Sequence, residues 1–282
     1  MNINSQQPIN SRLHDDYDHA KEILQRDDFI DQPIALFLDI DGTLADFNVD
    51  PEQCFISAEI LNLIQHIQQN QGVVSVVTGR DLASAQRLLS SLELPIAALH
   101  GQEIYIDAHT HLSQQVDTDL FQSIYRYLAA EIEPYPDLSL ENKINTVALH
   151  YRKCPELQPI AHELTQKIND QFPQLKRIDG KYVYELAAHH INKATAIDQI
   201  VSQLDLHHHL LIFIGDDRTD EDGFAYVNQH HGISIKVGSG QSIAQYRLEH
   251  IQQVTEFLKD LSQKYTQTSH HHPLEKCGEH YV

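Results

Sequence analysis

The sequence predicts an α/β protein, a Rossmann-like parallel-sheet core with helices around it and a second, α+β domain inserted partway along. Three observations predict this. Short, continuous apolar runs such as Ile34–Leu38 and Val73–Val77 have the character of strands buried on both faces. Between them lie segments whose apolar residues recur at helical spacing, the alternation expected of βαβ units. That alternation stops after about Ala108 and resumes near Ala187, leaving a stretch of different pattern between.

Taken in order, residues 1–30 are polar and acidic, with one amphipathic stretch near Tyr17–Ile30, and read as an arm or a single docked helix. The first strand is Ile34–Leu38. Ile60, Leu63, Ile64 and Ile67 then mark a helix, Val73–Val77 a second strand, and Leu82, Ala85, Leu88 and Leu89 a second helix. Ile96–Leu99 is the third strand. The insert reads as a helix at Leu120–Ile132, strands at Ser139–Ile144 and Thr146–Arg152, a helix at Glu156–Phe172, and strands at Leu175–Ile178 and Tyr182–Leu186. This αββαββ order suits a small antiparallel sheet with helices on one face. The core resumes with a helix through Ile197, Ile200, Val201 and Leu204 and a strand at Leu210–Ile214. A helix at Glu221–Val227 and a strand at Ile233–Val237 follow, and a last helix carries Val254, Phe257, Leu258 and Leu261. The expected division is an arm at 1–30, a core at 31–108 and 188–264, an inserted α+β domain at 109–187, and a polar tail at 265–282. The histidine runs His207–His209 and His270–His272 read as solvated.

Twenty Lys and Arg face forty Asp and Glu, a formal charge of −20. Such a surface repels nucleic acid and anionic membranes, so neither is an expected partner. Cys54, Cys154 and Cys277 are scattered and form no CxxC spacing, which argues against a disulfide framework and a structural zinc site. With no signal-peptide pattern in the first thirty residues and no apolar run of spanning length, the expected location is cytoplasmic.

Ligands of open parallel sheets sit beyond the carboxyl ends of the strands. The first strand is followed by Asp39-Ile40-Asp41-Gly42-Thr43-Leu44 and the second by Thr78-Gly79-Arg80. Asn192-Lys193 opens the helix before the strand at Leu210–Ile214, and that strand runs into Gly215-Asp216-Asp217-Arg218-Thr219-Asp220-Glu221-Asp222. Read alone, the last segment is equally a solvated acidic turn. Beside a fully apolar strand end, however, carboxylates that converge with Asp39 and Asp41 need a cation, and hard oxygen ligands suit Mg²⁺. Lys193 sits in the first turn of its helix, where a cation is slightly disfavoured, and Arg80 just ahead of its own. Singly these are ordinary surface bases. An anion held at the helix N-termini makes both placements sensible at once.

In this order the four segments resemble the haloacid dehalogenase superfamily of phosphotransferases. The resemblance implies that Asp39 attacks phosphorus, that Asp41 is general acid and then base, that Thr78 binds phosphoryl oxygens, and that Lys193 offsets charge. It implies Mg²⁺ held by Asp39, the backbone carbonyl of Asp41, and Asp216, with Asp217 and Asp220 orienting waters. Arg80 would help bind the substrate phosphate. The acidic loop is similar to the GDDxTDED signature of trehalose-6-phosphate phosphatases.

The inserted stretch extends that likeness. Glu141-Asn142-Lys143 with Leu149-His150-Tyr151-Arg152 resembles the family's ExK…HYR segment, Gly180-Lys181 with Tyr184-Glu185-Leu186 its GK…E segment, and His100-Gly101 its HG turn. The resemblance spans roughly Pro33 to Leu261. Ala194 stands where the family usually has Gly, and His189–Ile191 replaces a common Pro-containing linker. Glu141, Lys143, His150, Arg152, Lys181 and Glu185 would then grip a sugar, although alternation alone equally allows a solvated, salt-bridged sheet face. The expected activity is Mg²⁺-dependent hydrolysis of trehalose 6-phosphate. Alternatives are another capped sugar phosphatase such as one for sucrose phosphate, a phosphomutase, or a non-catalytic sugar-phosphate sensor.

Overall fold

A computed structural model of the chain describes Leu24 and residues 32–46, 53–70, 72–90, 92–142, 146–180 and 182–268. Most of the expected amphipathic stretch near Tyr17–Ile30, together with Lys143, Lys181, Cys277 and the His270–His272 run, lies outside them. The chain forms two compact units, one of residues 1–112 with 193–282 and one of residues 113–192. The structural division falls a few residues later than the change of sequence pattern at each end, and at the second of them the last strand of the insert continues to Ala188.

The first unit is built on β1 (Ile34–Leu38), β2 (Val73–Val77), β3 (Ile96–Ala98), β4 (Glu103–Tyr105), β5 (His111–Ser113), β10 (Leu210–Gly215), β11 (Ile233–Val237) and β12 (Tyr246–Leu248). Their order across the sheet is β12-β11-β10-β1-β2-β3-β4-β5. The run from β12 to β3 is parallel, and β4 turns back antiparallel to β3. Every residue of β1 is buried, because helices cover both faces. Ile34, Leu36 and Leu38 pack with α1 (Ala58–Gln69), α2 (Leu82–Leu89) and α7 (Ile251–Thr268), while Ala35 and Phe37 pack with α5 (Lys193–Gln203) and α6 (Asp220–Gln229). Helix starts are fixed locally. Ser57 accepts a hydrogen bond from Ile60 N–H at the head of α1, and Asp81 from Ser84 N–H at the head of α2. Registry of β1 with β10, ending at Leu38 against Ile214, sets Asp39 beside Gly215 and Asp216.

The second unit contains α3 (Thr118–Glu131), β6 (Ser139–Asn142), β7 (Thr146–His150), α4 (Gln158–Gln171), β8 (Leu175–Gly180) and β9 (Val183–Ala188). Its sheet runs β6-β7-β9-β8 with every pairing antiparallel. Val147 and Leu186 face Phe121, Ile124 and Leu128 of α3 and Ile168 of α4, giving this unit a core of its own. Strands β4, β5 and β12 carry no recognisable run in the sequence, since, unlike the all-apolar β3, each of these three-residue segments holds a polar or charged residue. Cys54 and Cys154 are free thiols, and among the described residues no helix is long and apolar enough to cross a membrane.

Candidate active site

The carboxyl end of β1 turns at once. Ile40 C=O accepts from Thr43, Leu44 and Ala45 N–H, and Gly42 N–H donates to Ala45 C=O. Asp39 is anchored by its own N–H, which donates to Ile214 C=O at 3.0 Å. Gly42 has φ of +76°, and a Cβ there would lie 2.0 Å from Asp216 Oδ2. Glycine is thus required both by the backbone and by the carboxylate that occupies the space a side chain would fill. Gly215 does the same for Asp220, whose carboxyl carbon would be 2.3 Å from an added Cβ.

Lys193, the first residue of α5 and 2% exposed, sits between two acids. Its Nζ is 2.8 Å from Asp39 Oδ1 and 2.6 Å from Asp220 Oδ1. Burial disfavours its charge, yet Asp220, Asp39 and Asp217 hold it above the ordinary lysine range. Burial also pushes the acids up, Asp39 to about 6 and Asp220 to about 7, each against the pull of Lys193. Asp216 reaches about 6 through burial and then repulsion from Asp217 and Asp220. Asp217 moves the other way. Burial raises it, but Lys193 and hydrogen bonds from Thr219 N–H and Oγ1–H, both 2.7 Å, bring it below the usual range.

Asp39, Asp216 and Asp220 each offer a carboxylate oxygen, all within 4.8 Å of one another. These are hard oxygen donors, and the four carboxylates of Asp39, Asp216, Asp217 and Asp220 face two buried lysines, Lys193 and Lys236. The formal excess of two negative charges and the donor chemistry fit one Mg²⁺. Asp220, expected to orient waters, is in this group and is the partner of Lys193, while Asp217 donates its N–H to Asp220 Oδ2 at 2.9 Å.

The Asp41 carboxylate points to Arg80, accepting from Nε at 2.7 Å and from Nη2 at 2.6 Å. Thr78 is buried at the end of β2, and its Oγ1 accepts from Arg80 N–H at 3.2 Å. Behind it His100 adopts a left-handed conformation, with φ of 58°, and its N–H donates to Thr78 C=O. A Cβ on Gly79 would come within 2.6 Å of the His100 ring, so Gly79 makes room for it. Gly101 follows with φ of 103°. Asp39, Asp41, Thr78, Arg80, His100, Gly101, Lys193, Asp216, Asp217 and Asp220 therefore all belong to the first unit, around the carboxyl ends of β1, β2 and β10.

The second unit carries the remaining predicted residues. Glu141 on β6 is in register with Ala148 on β7, and Ala148 with Glu185 on β9. The two glutamates thus share the sheet face opposite the one packed on α3 and α4. His150 lies on that face too, its Nε2 3.1 Å from Glu141 Oε2. Arg152 is exposed in the turn after β7. Sequence reasoning passed over Lys236, which is buried in β11 and donates from Nζ to the backbone carbonyl of Asp216. A lysine inside an apolar strand was the signal available.

A family model described as trehalose-phosphatase matches residues 37–252. The chain is 33% identical over 227 residues to the trehalose-6-phosphate phosphatase of Escherichia coli (strain K12), covering 80% of this chain and 85% of that protein. Among solved structures it resembles a trehalose-6-phosphate phosphatase of Aspergillus fumigatus, with a TM-score of 0.69 at 21% identity over 92% of this chain and 99% of that one. It also resembles a haloacid dehalogenase-like hydrolase from B. subtilis, with a TM-score of 0.59 at 14% identity over 80% and 98% of the two chains. At those identities the structural matches speak for the fold.

Proposed function

Since the chain belongs to the trehalose-phosphatase family, and is thereby a phosphoric monoester hydrolase, we propose that it hydrolyses trehalose 6-phosphate to trehalose and phosphate by way of an aspartyl-phosphate on Asp39. The observation that carries the mechanistic reading is the buried Lys193 held between Asp39 and Asp220, with Asp216 alongside. Phosphoryl transfer needs in-line positioning and neutralised charge above all, and this cluster is suited to both.

In the first step an Asp39 carboxylate oxygen attacks phosphorus as the bond to the sugar oxygen breaks. Asp41 gives the leaving alkoxide its proton. Its two bonds from Arg80 occupy one lone pair on each oxygen and leave the others for that proton. Arg80 and the Thr78 hydroxyl would donate to phosphoryl oxygens. In the second step Asp41 takes a proton from water, the water oxygen bonds to phosphorus, and the bond to Asp39 breaks to release phosphate. Lys193 favours the ionised form of Asp39 that makes the first attack and is its partner again once phosphate has left. Asp39, Asp216 and the carbonyl of Asp41 would hold Mg²⁺, with Asp220 close by, and the ion supplies positive charge against the phosphoryl oxygens. Asp217, fixed by Thr219, would orient its waters. Sugar recognition is assigned to Glu141, Lys143, His150, Arg152, Lys181 and Glu185, with the His100-Gly101 turn assisting.

A phosphate-release screen over a panel of sugar phosphates, with Mg²⁺ and with EDTA, tests the reading. Release from trehalose 6-phosphate well above sucrose and hexose phosphates, abolished by EDTA and restored by Mg²⁺, is expected. Equal release across the panel would remove the substrate assignment. Full activity after exhaustive chelation would remove the metal.

A further inference from the structure

We propose that Lys236 is a positioning residue that fixes the Asp216 corner of the cation site and thereby sets its affinity for a divalent metal. The inference rests on the metal-dependent reading above. Lys236 is 5% exposed and lies in β11, Ile-Ser-Ile-Lys-Val, every residue of which is buried. A fold that needed only a filled strand position would be served by an aliphatic residue, as at Ile235 and Val237. An ammonium buried there is costly and calls for a compensating role. Registry explains its reach. Lys236 pairs with Gly215, the residue before Asp216, and its Nζ donates to the Asp216 carbonyl oxygen.

Asp216 is thus held from two directions. Its backbone is tied to β11 by Lys236, and its carboxylate rests against the bare Cα of Gly42. A ligand fixed at both ends is presented to a cation without further ordering, and that is where affinity is gained. The next residue in the same row, Arg247, cannot take over the task. It pairs in register with Lys236, but its guanidinium donates to the carbonyls of Gly238 and Gly240. Lys193 is likewise engaged, with Asp39 and Asp220.

The test compares the full-length wild type with Lys236→Met, Lys236→Gln and Lys236→Arg. Mn²⁺ binding is read from the electron paramagnetic resonance signal of the free ion, and Mg²⁺ binding from the metal-induced rise in Tm. The kcat at saturating Mg²⁺ is measured alongside. Loss of the Lys236 contact should raise the metal Kd about ten- to a hundredfold in the Met and Gln variants. Their kcat at saturating metal should fall far less, and Arg, which keeps donor and charge, should restore most of the affinity. If Met fails to fold, Gln against Arg reads the same difference. A wild-type metal Kd in variants whose Tm in EDTA has dropped would make Lys236 a structural lysine and overturn the proposal alone. A wild type that takes up no Mn²⁺ and needs no metal would overturn it together with the metal reading it rests on.

Discussion

At the scale of single residues, the site is a set of carboxylates held closer than their charges favour. Asp39→Asn keeps the shape of the side chain but removes the nucleophilic oxygen, so phosphate release should fall by several orders of magnitude while circular dichroism and Tm show an intact fold. Turnover within tenfold of wild type would take Asp39 out of its assigned role. The acids also predict a pH dependence. Asp39 and Asp216 titrate near 6 and Asp220 near 7 in the folded chain, above their ordinary range, chiefly because they are buried. Each binds its proton more tightly folded than unfolded, so the stability they contribute is present below about pH 4 and is lost as pH rises through about 6 to 7. Asp216→Asn has no such proton to lose. In EDTA its Tm relative to wild type should therefore climb between pH 5 and pH 7.5, and saturating Mg²⁺ should reverse the advantage. A difference that falls with pH contradicts the assignment. Parts of this cluster could be read from the sequence. Asp39, Lys193 and Asp216 stand at strand ends or helix starts, where position itself is informative. Lys236 was hidden because it sits inside a strand, and whether Asp217 or Asp220 turns toward Lys193 depends on a bend no spacing reports.

At the scale of elements, the turn after β1 is the piece on which the rest is registered. Gly42 and Gly238 share a φ of +76°, but a Cβ on Gly42 strikes Asp216 whereas one on Gly238 meets nothing within 4 Å. Alanine at either site costs roughly 1–2 kcal/mol of left-handed strain. Gly42→Ala should in addition displace Asp216 and cut activity by about a hundredfold or more, on the order of 3 kcal/mol of transition-state stabilisation. Gly238→Ala should lower Tm by a similar strain cost and leave kcat near wild type. Equal activity losses in the two would mean that the close approach of Asp216 to Gly42 is immaterial. The buried strands β1, β2 and β10 were legible as near-continuous apolar runs, β11 through Ile233, Ile235 and Val237, and the amphipathic helices because their period is clear. Strands β4, β5 and β12 were not, being held by neighbours and not by a pattern of their own. The ion pair of Asp41 with Arg80 was equally hidden, since the two residues lie 39 apart in the chain and meet through the pairing of β1 with β2.

At the scale of the whole molecule, the residues proposed for phosphoryl transfer and the two glutamates proposed for the sugar, Glu141 and Glu185, lie in different compact units. A small aryl phosphate makes no sugar contacts. Glu141→Ala and Glu185→Ala should therefore lower kcat/KM for trehalose 6-phosphate by about ten- to a hundredfold, as expected for one lost charge-assisted hydrogen bond of ~1.5–3 kcal/mol, while p-nitrophenyl phosphate turnover stays nearly unchanged. Parallel losses on both substrates would point to a folding defect, and no loss on either to a solvated sheet face. The first unit is also discontinuous, with β1 paired to a β10 that follows the entire second unit. During synthesis Asp39 leaves the ribosome before its lysine and the acids of the loop after β10, which arrive only after residues 113–192 have emerged. The inserted unit, with its own core, can fold on the way out; the cluster assigned to phosphoryl transfer cannot. On the proposed mechanism a nascent chain is thus chemically silent until β10 closes beside β1, and a message truncated before β10 should yield no catalyst, however well the exposed portion has folded.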